Sequence, residues 1–96
     1  MGDRYAVVYR PEAVIEDLPS IPRNVQARIL RAIERRLITE PTKYGERLRR
    51  SLAGLWKLRV GDYRVVFKIV KNEVWIFAIM HRRDVYQRIE TRLSIQ

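Results

Sequence analysis

The 96-residue chain contains no cysteine and a single histidine. The first absence excludes disulfides and thiolate metal sites and is compatible with a reducing compartment. The second excludes a paired-imidazole mechanism and a zinc site resting on histidine alone. No dense carboxylate cluster stands ready for magnesium, so neither metal nor cofactor is expected. The N-terminus lacks the continuous apolar stretch of a signal peptide, and nowhere do about 18 apolar residues run together as a membrane span requires; a soluble, cytoplasmic protein is expected. There is no repeat and no low-complexity tract. Acids are scarce: eleven Asp and Glu face twenty Lys and Arg, for a formal net charge of +9.

What is present is the composition of a chain that folds, 47% apolar and 32% charged. One domain over residues 1–96 is expected, with room for one modest core. The charge is uneven. Residues 1–40 carry seven Arg against six acids, whereas residues 41–96 carry thirteen Lys or Arg against five acids. Sixteen of the twenty cations are Arg, whose planar fork suits bidentate phosphate contacts better than the point charge of Lys. A basic face kept for solubility and a nucleic-acid surface both fit that charge. Membrane binding fits less well, because the cations are interleaved with strand residues and do not line an amphipathic helix.

Arg4 to Tyr9 reads as a first strand, followed by a short helix over about 11–18 that Pro19 and Pro22 break. A longer helix is expected from Arg23 to Leu37, with Val25, Ile29, Leu30, Ile33 and Leu37 on the buried side and Arg28, Arg31, Glu34 and Arg35 on the solvated side. Thr39 to Tyr44 reads as a loop, Glu46 to Arg50 as a short edge segment and Ser51 to Gly54 as a turn. The nearly all-apolar run Glu73 to Met80 suits an inner strand covered on both faces. Asp84 to Leu93 suits a short C-terminal helix with Val85, Ile89 and Leu93 on one stripe. The expected fold is therefore α+β: N-terminal helices packed on a mainly antiparallel four-stranded sheet, with a short C-terminal helix.

Between these elements, Leu55 to Lys68 reads as two alternating strands joined by a Gly61-Asp62 turn. Closing the turn with Val60 and Tyr63 aligns Trp56, Leu58 and Val60 with Phe67, Val65 and Tyr63 on one apolar face that seats the long helix. Arg59 then opposes Arg64 on the other face, with Lys57 one pleat further along and Val66 and Phe77 as an apolar floor. Directly opposed like charges destabilise a sheet, so this patch points to an anionic ligand, phosphate above all. After the inner strand, His81-Arg82-Arg83-Asp84-Val85-Tyr86 brings an imidazole, two guanidiniums and a phenol to one end of the sheet. Bland readings stand beside these: Tyr86 as a wet-tipped core residue, His81 as a strand-end residue, Arg59 paired with Asp62 or Glu46, Trp56 and Trp75 as packing.

The segments Leu55 to Phe67 and His81 to Tyr86 together resemble the RelE/ParE superfamily of bacterial and archaeal toxins, and its RelE branch more than its ParE branch. Element order and length agree over essentially the whole chain. The resemblance implies a RelE-like fold and a small endoribonuclease that cuts messenger RNA in the ribosomal A site without metal, with contacts to 16S ribosomal RNA, held inactive by an acidic, RelB-like antitoxin. Carried over residue by residue, it implies a catalytic set of Lys57, Arg59, Arg64, Arg82 or Arg83, and Tyr86; RNA-binding roles are expected for Arg47, Arg49, Arg50, Lys68 and His81. Where some members have a further basic residue, this chain has Leu55. The chemistry asks for the same groups: attack by a 2′-hydroxyl on the adjacent phosphorus needs a base, cations for the phosphorane and an acid for the leaving 5′-oxygen. Lys57 or Tyr86 is the expected base, with Arg64 and Arg82 or Arg83 on the phosphate. Two alternatives remain open: a ParE-type toxin, which blocks DNA gyrase, and a degenerate toxin retained for antitoxin binding. The antitoxin segment is expected to cover the basic face and to displace the C-terminal helix from near Asp84, since only Val85, Ile89 and Leu93 anchor it.

Overall fold

Ile29, Ile33 and Leu37 fall four residues apart and are completely buried, the stripe by which the long helix sits on the sheet. In this computed structural model, which describes residues 4–49, 52 and 54–94, helix α1 spans Arg23–Ala32 and runs on through a wider π turn at Ile33–Leu37. The helix starts at Pro22, whose carbonyl accepts from the backbone N–H of Val25 and Gln26 at 3.0 and 2.9 Å. A proline costs nothing there, because the first N–H groups of a helix have no partner within it. The preceding chain forms a π turn at Ala13–Asp17 and a 3-10 turn at Leu18–Ser20. Helical geometry thus carries on through Pro19, two residues beyond the expected stop. Gln26 ties this turn to α1 by donating from Nε2 to the carbonyls of Leu18 and Ile21 at 2.8 and 2.7 Å. The expected loop at 39–44 contains a one-turn helix α2, Pro41–Tyr44, with proline again preset at its first position.

The strands are β1 (Ala6–Tyr9), β2 (Gly45–Arg47), β3 (Trp56–Val60), β4 (Tyr63–Val70) and β5 (Glu73–His81), in the order β1-β5-β4-β3-β2. Five strands stand where four were expected, because the short edge segment pairs antiparallel with β3. The sheet is otherwise antiparallel except for β1, which runs parallel to β5. The hairpin register is the expected one, Val60 opposite Tyr63 and Arg59 opposite Arg64, with Gly61 supplying the positive φ of 59° at the turn. Gly45 is required for a different reason. A Cβ there would stand 2.6 Å from Cζ of Phe67 and 2.8 Å from the carbonyl oxygen of Pro41. Gly45→Ala is therefore expected to cost about 1–3 kcal/mol as an overpacked contact. Urea unfolding reads this directly, and wild-type stability would mean that β2 is free to move away.

Two cores flank the sheet. The first joins Ile29, Ile33 and Leu37 to Leu58, Val65, Phe67, Ile76 and Ile79, with Trp56 and Tyr63 at its margin. The second lies on the opposite face and joins Leu48, Leu52, Leu55, Val66, Ala78 and Met80 to Val85 and Ile89 of helix α3, Val85–Ser94, with Phe77 and Tyr86 at its margin. That second face, expected to be a cationic concavity with an apolar floor, is thus largely a core with cations around it.

The parity of β5 explains part of the difference. Val66 pairs with Ala78 and Phe67 with Ile76, so Phe77 is an extra residue, a β-bulge. Phe77 and Ala78 both face α3, and beyond them the alternation is reversed. Every side chain from Ile79 to His81 therefore points to the face opposite the one that unbroken alternation dictates.

α3 is held by more than its apolar stripe. Strand β1 stops opposite Ile76, and the next outward-facing N–H of β5, that of Ile79, donates to Oδ2 of Asp17 at 2.9 Å. Asp17 is itself bidentate with Arg92 of α3, at 2.9 Å to each oxygen, and Arg92 also donates to the carbonyl of Phe77 at 2.9 Å. The Asp17 side chain is 0% exposed and that of Arg92 14%. Hydrogen bonding to Asp17 pushes the guanidinium further up from its already high range, so it stays charged. The expectation that three apolar residues alone anchor this helix is corrected: a buried ion pair joins it to the N-terminal helical turn and to β5.

Candidate functional site

On the α3 face the sheet carries a compact group of cations beside one phenol. Lys57 is half-buried on β3, and its Nζ stands 5.4 Å from the centre of the Tyr86 ring, a cation–π contact that brings the amine to the phenol. Tyr86 is placed by the first turn of α3, where Val85 beside it is buried in the second core. Glu46 of β2 stands in register with Lys57, so the edge strand contributes one carboxylate to this face. One pleat on, Arg59 is exposed and lies directly opposite half-buried Arg64. The Arg64 guanidinium turns to the hairpin, donating from Nη1 to the carbonyls of Gly61 and Tyr63 at 3.0 and 2.9 Å. Arg82 reaches the same turn, its N–H donating to the carbonyl of Asp62 at 2.8 Å and its Nε lying 3.8 Å from Oδ1 of Asp62. Asp62 therefore pairs with Arg82, not with Arg59, in an exposed contact that contributes little stability.

The remaining candidates do not all converge. His81 pairs with Tyr63, its ring edge-on to that of Tyr63 at 5.6 Å, and Tyr63 belongs to the α1 side. The bulge at Phe77 thus directs the imidazole away from Lys57 and Tyr86. Nδ1 of His81 accepts the N–H of Arg83 at 3.2 Å, which shapes the turn into α3 and leaves the Arg83 side chain exposed. Arg47 lies over the Trp56 ring at 5.0 Å, also toward α1. Lys68 shares the α3 face but pairs with Trp75, four residues along β4 from Arg64 and roughly 13 Å away at strand spacing. Arg49 is exposed, and Arg50 lies outside the described residues. Leu55 is 7% exposed in the second core, so its apolar character is a packing requirement. Among the described residues no three His, Cys, Asp or Glu side chains converge as metal ligands would, and no helix is long and apolar enough to cross a membrane.

Sequence reasoning missed the arginines on the outer side of α1. Between that helix and the free edge of β3 lies a cleft of about 240 Å³ lined by Arg28, Arg31, Arg35, Arg36 and Arg59 and floored by Gly61. The only signal for it in the chain was an arginine-rich helix face, which a solvated surface explains as readily.

Helices on both faces of a largely antiparallel sheet, with a cationic patch at the hairpin end, define a small basic α+β protein. Residues 7–86 match the family model described as the ParE toxin of the type II toxin-antitoxin system parDE. The chain is 35% identical over 74 residues to Toxin RelG of Mycobacterium tuberculosis, covering 75% of this chain and 85% of RelG. Among solved structures it is similar to the toxin-antitoxin complex RelBE2 from the same organism, with a TM-score of 0.78 at 32% identity over 85% of this chain and 95% of that one. It shares its fold with the RelB-RelE complex of Methanococcus jannaschii, with a TM-score of 0.63 at 18% identity over 84% of this chain and 96% of that one. The chain belongs to the RelE/ParE family of type II toxin-antitoxin toxins.

Proposed function

We propose that this toxin is a metal-independent endoribonuclease that cleaves messenger RNA in the ribosomal A site. The observation that carries this reading is the Lys57 amine held against the Tyr86 ring beside the Arg59–Arg64 pair. Cleavage would form a bond from the 2′-oxygen to phosphorus and break the bond from phosphorus to the 5′-oxygen. The proton leaves the 2′-hydroxyl for one of Lys57 and Tyr86, and the other of the two would give a proton to the 5′-oxygen as its bond to phosphorus breaks. Arg64, Arg59 and Arg82 would face the charge that grows on the non-bridging oxygens. Arg83 and His81, which the fold turns outward or to the other face, would act on the RNA around the site.

A second reading, a toxin acting on DNA gyrase, is favoured by the ParE description of the matching family. The Lys57–Tyr86 pair on a cationic face weighs against it, because blocking a protein target needs neither a base nor an acid. A degenerate toxin retained for antitoxin binding is the third. Purified protein given to programmed ribosomes and to a gyrase supercoiling reaction separates them: cut message with unaffected supercoiling is expected, whereas blocked supercoiling with intact message would transfer the assignment to the ParE type, and inactivity in both to the degenerate toxin. Arg64→Ala should lower cleavage by about two orders of magnitude, as removal of one charge-stabilising donor does. The same change relieves the repulsion with Arg59 and loses two partly exposed hydrogen bonds to the turn, so net stability should move by no more than about 1 kcal/mol. Unfolding that tracks the loss of activity would make Arg64 a structural residue.

The partner is proposed to be an acidic antitoxin segment on the same basic face. The structures of RelBE2 and of the M. jannaschii pair are themselves toxin-antitoxin complexes. Displacement of α3 now has a requirement: an antitoxin that lifts the helix must bring its own cation to Asp17, or leave a buried carboxylate unpaired. Association should weaken steeply from about 50 to 500 mM salt, and a constant affinity over that range would exclude an electrostatic interface.

A further inference from the structure

The arginine cleft is distinct from the Lys57–Tyr86 pair and shares one residue, Arg59, with the cations beside that pair. β2 begins with Gly45 opposite Leu58, so on the side away from β4 the strand β3 has no neighbour beyond that point. Arg59 and Val60 line the cleft from this free edge, while Arg28, Arg31, Arg35 and Arg36 line it from the helix. Arg28 is laid over the hairpin turn: its Nη2 is 3.5 Å from where a Cβ of Gly61 would be. Arg36 is braced against the Tyr44 ring at 5.6 Å. Among the described residues no carboxylate is paired with any of the five. Glu34, the only acid in residues 23–37, makes no ion pair with them; after burial, its charge is what raises the Tyr9 phenol on β1.

Five uncompensated guanidiniums around a small cavity repel one another and are stabilised by an anion. The cavity is too small for a partner helix about 10 Å across. All five cations are Arg, the residue suited to planar, bidentate contact with phosphate. We propose that this cleft seats two consecutive phosphates of the RNA strand, on the far side of Arg59 from the linkage being cut. The inference rests on the nuclease reading for the identity of the strand. It makes Arg59 the bridge along which the backbone passes from the α3 face, round the free edge of β3, to the outer side of α1.

The test uses the triple variant Arg28→Gln/Arg31→Gln/Arg35→Gln, which removes charge but keeps good helix formers and spares the Lys57 face. Affinities for uncleavable 2′-O-methyl RNA of about 5 and about 12 nucleotides are measured by anisotropy across a salt series, each phosphate contact contributing about 0.7 to the salt slope for a single strand. The variant should bind the longer RNA at least tenfold more weakly, with a slope smaller by about 1.4, and the shorter RNA within about twofold of wild type. Unchanged affinity for the longer RNA, or equal loss for both lengths, would overturn the proposal. So would a loss confined to an acidic peptide, which would make the cleft a protein contact. Length-dependent loss in the variant together with no cleavage by the wild type on ribosomes would sink the nuclease reading and sustain the cleft.

Discussion

Asp17→Ala is expected to destabilise the toxin by about 3–5 kcal/mol, the usual cost of removing one partner from a buried ion pair. The substitution acts at three places. It strands the Arg92 guanidinium, whose side chain is only 14% exposed. It leaves the Ile79 N–H without its acceptor, at a point where β1 has already ended and no strand can replace it. It also removes the tie between α3 and the turn at Ala13–Asp17. For a domain of this size the melting temperature should fall by roughly 12 °C or more. The double variant Asp17→Ala/Arg92→Met should recover part of the loss, because it removes the stranded charge, but not all, because Ile79 and the Phe77 carbonyl stay unpaired. A single variant within about 1 kcal/mol of wild type would show that water or another acid replaces Asp17 and that α3 is held by its apolar stripe after all.

Local pattern made much of this fold legible. The spacing of Ile29, Ile33 and Leu37 marked the buried side of α1, and strict alternation around Gly61-Asp62 fixed the hairpin register, hence the pairing of Arg59 with Arg64. Both depend on neighbours in sequence. What escaped depends on distant ones. Asp17 and Arg92 are 75 residues apart, and neither carries a local sign of burial. Leu48, Leu52 and Leu55 fall by propensity in an edge segment, a turn and the start of the hairpin, yet tertiary packing gathers them under Val66 and Met80 as a second core. The bulge at Phe77 is marked by neither glycine nor proline, and it reverses the parity of everything after it. This is why His81, adjacent in sequence to Arg82, stands across the sheet from Lys57. The outer arginines of α1 were visible as residues but not as a cleft, because their meeting with Arg59 depends on where the free edge of β3 falls.

On the proposed nuclease reading, Tyr86→Phe should slow the chemical step by at least about a hundredfold while leaving the fold intact, the range typical of losing a positioned proton-transfer group. The ring stays. It keeps its place at the margin of the second core and its contact with the Lys57 amine, both of which belong to the ring and not to the hydroxyl. Stability should therefore shift by about 1 kcal/mol at most, the net contribution of one hydrogen bond. On the same reading, binding to the ribosome should also persist, because the proposal assigns the phosphate contacts to the arginines. Rate should then fall further than affinity, since in the proposed role the hydroxyl acts only as charge and proton move in the transition state. Lys57→Met separates the two residues: it removes the amine but keeps an unbranched apolar chain over the ring. If Tyr86 moves the proton and Lys57 only sets its surroundings, Tyr86→Phe is the slower variant. If Lys57 is the base, Lys57→Met is slower. Single-turnover cleavage on programmed ribosomes measures both, and a wild-type rate constant for each variant would remove this pair from the proposed mechanism and leave it charge stabilisation by Arg59, Arg64 and Arg82.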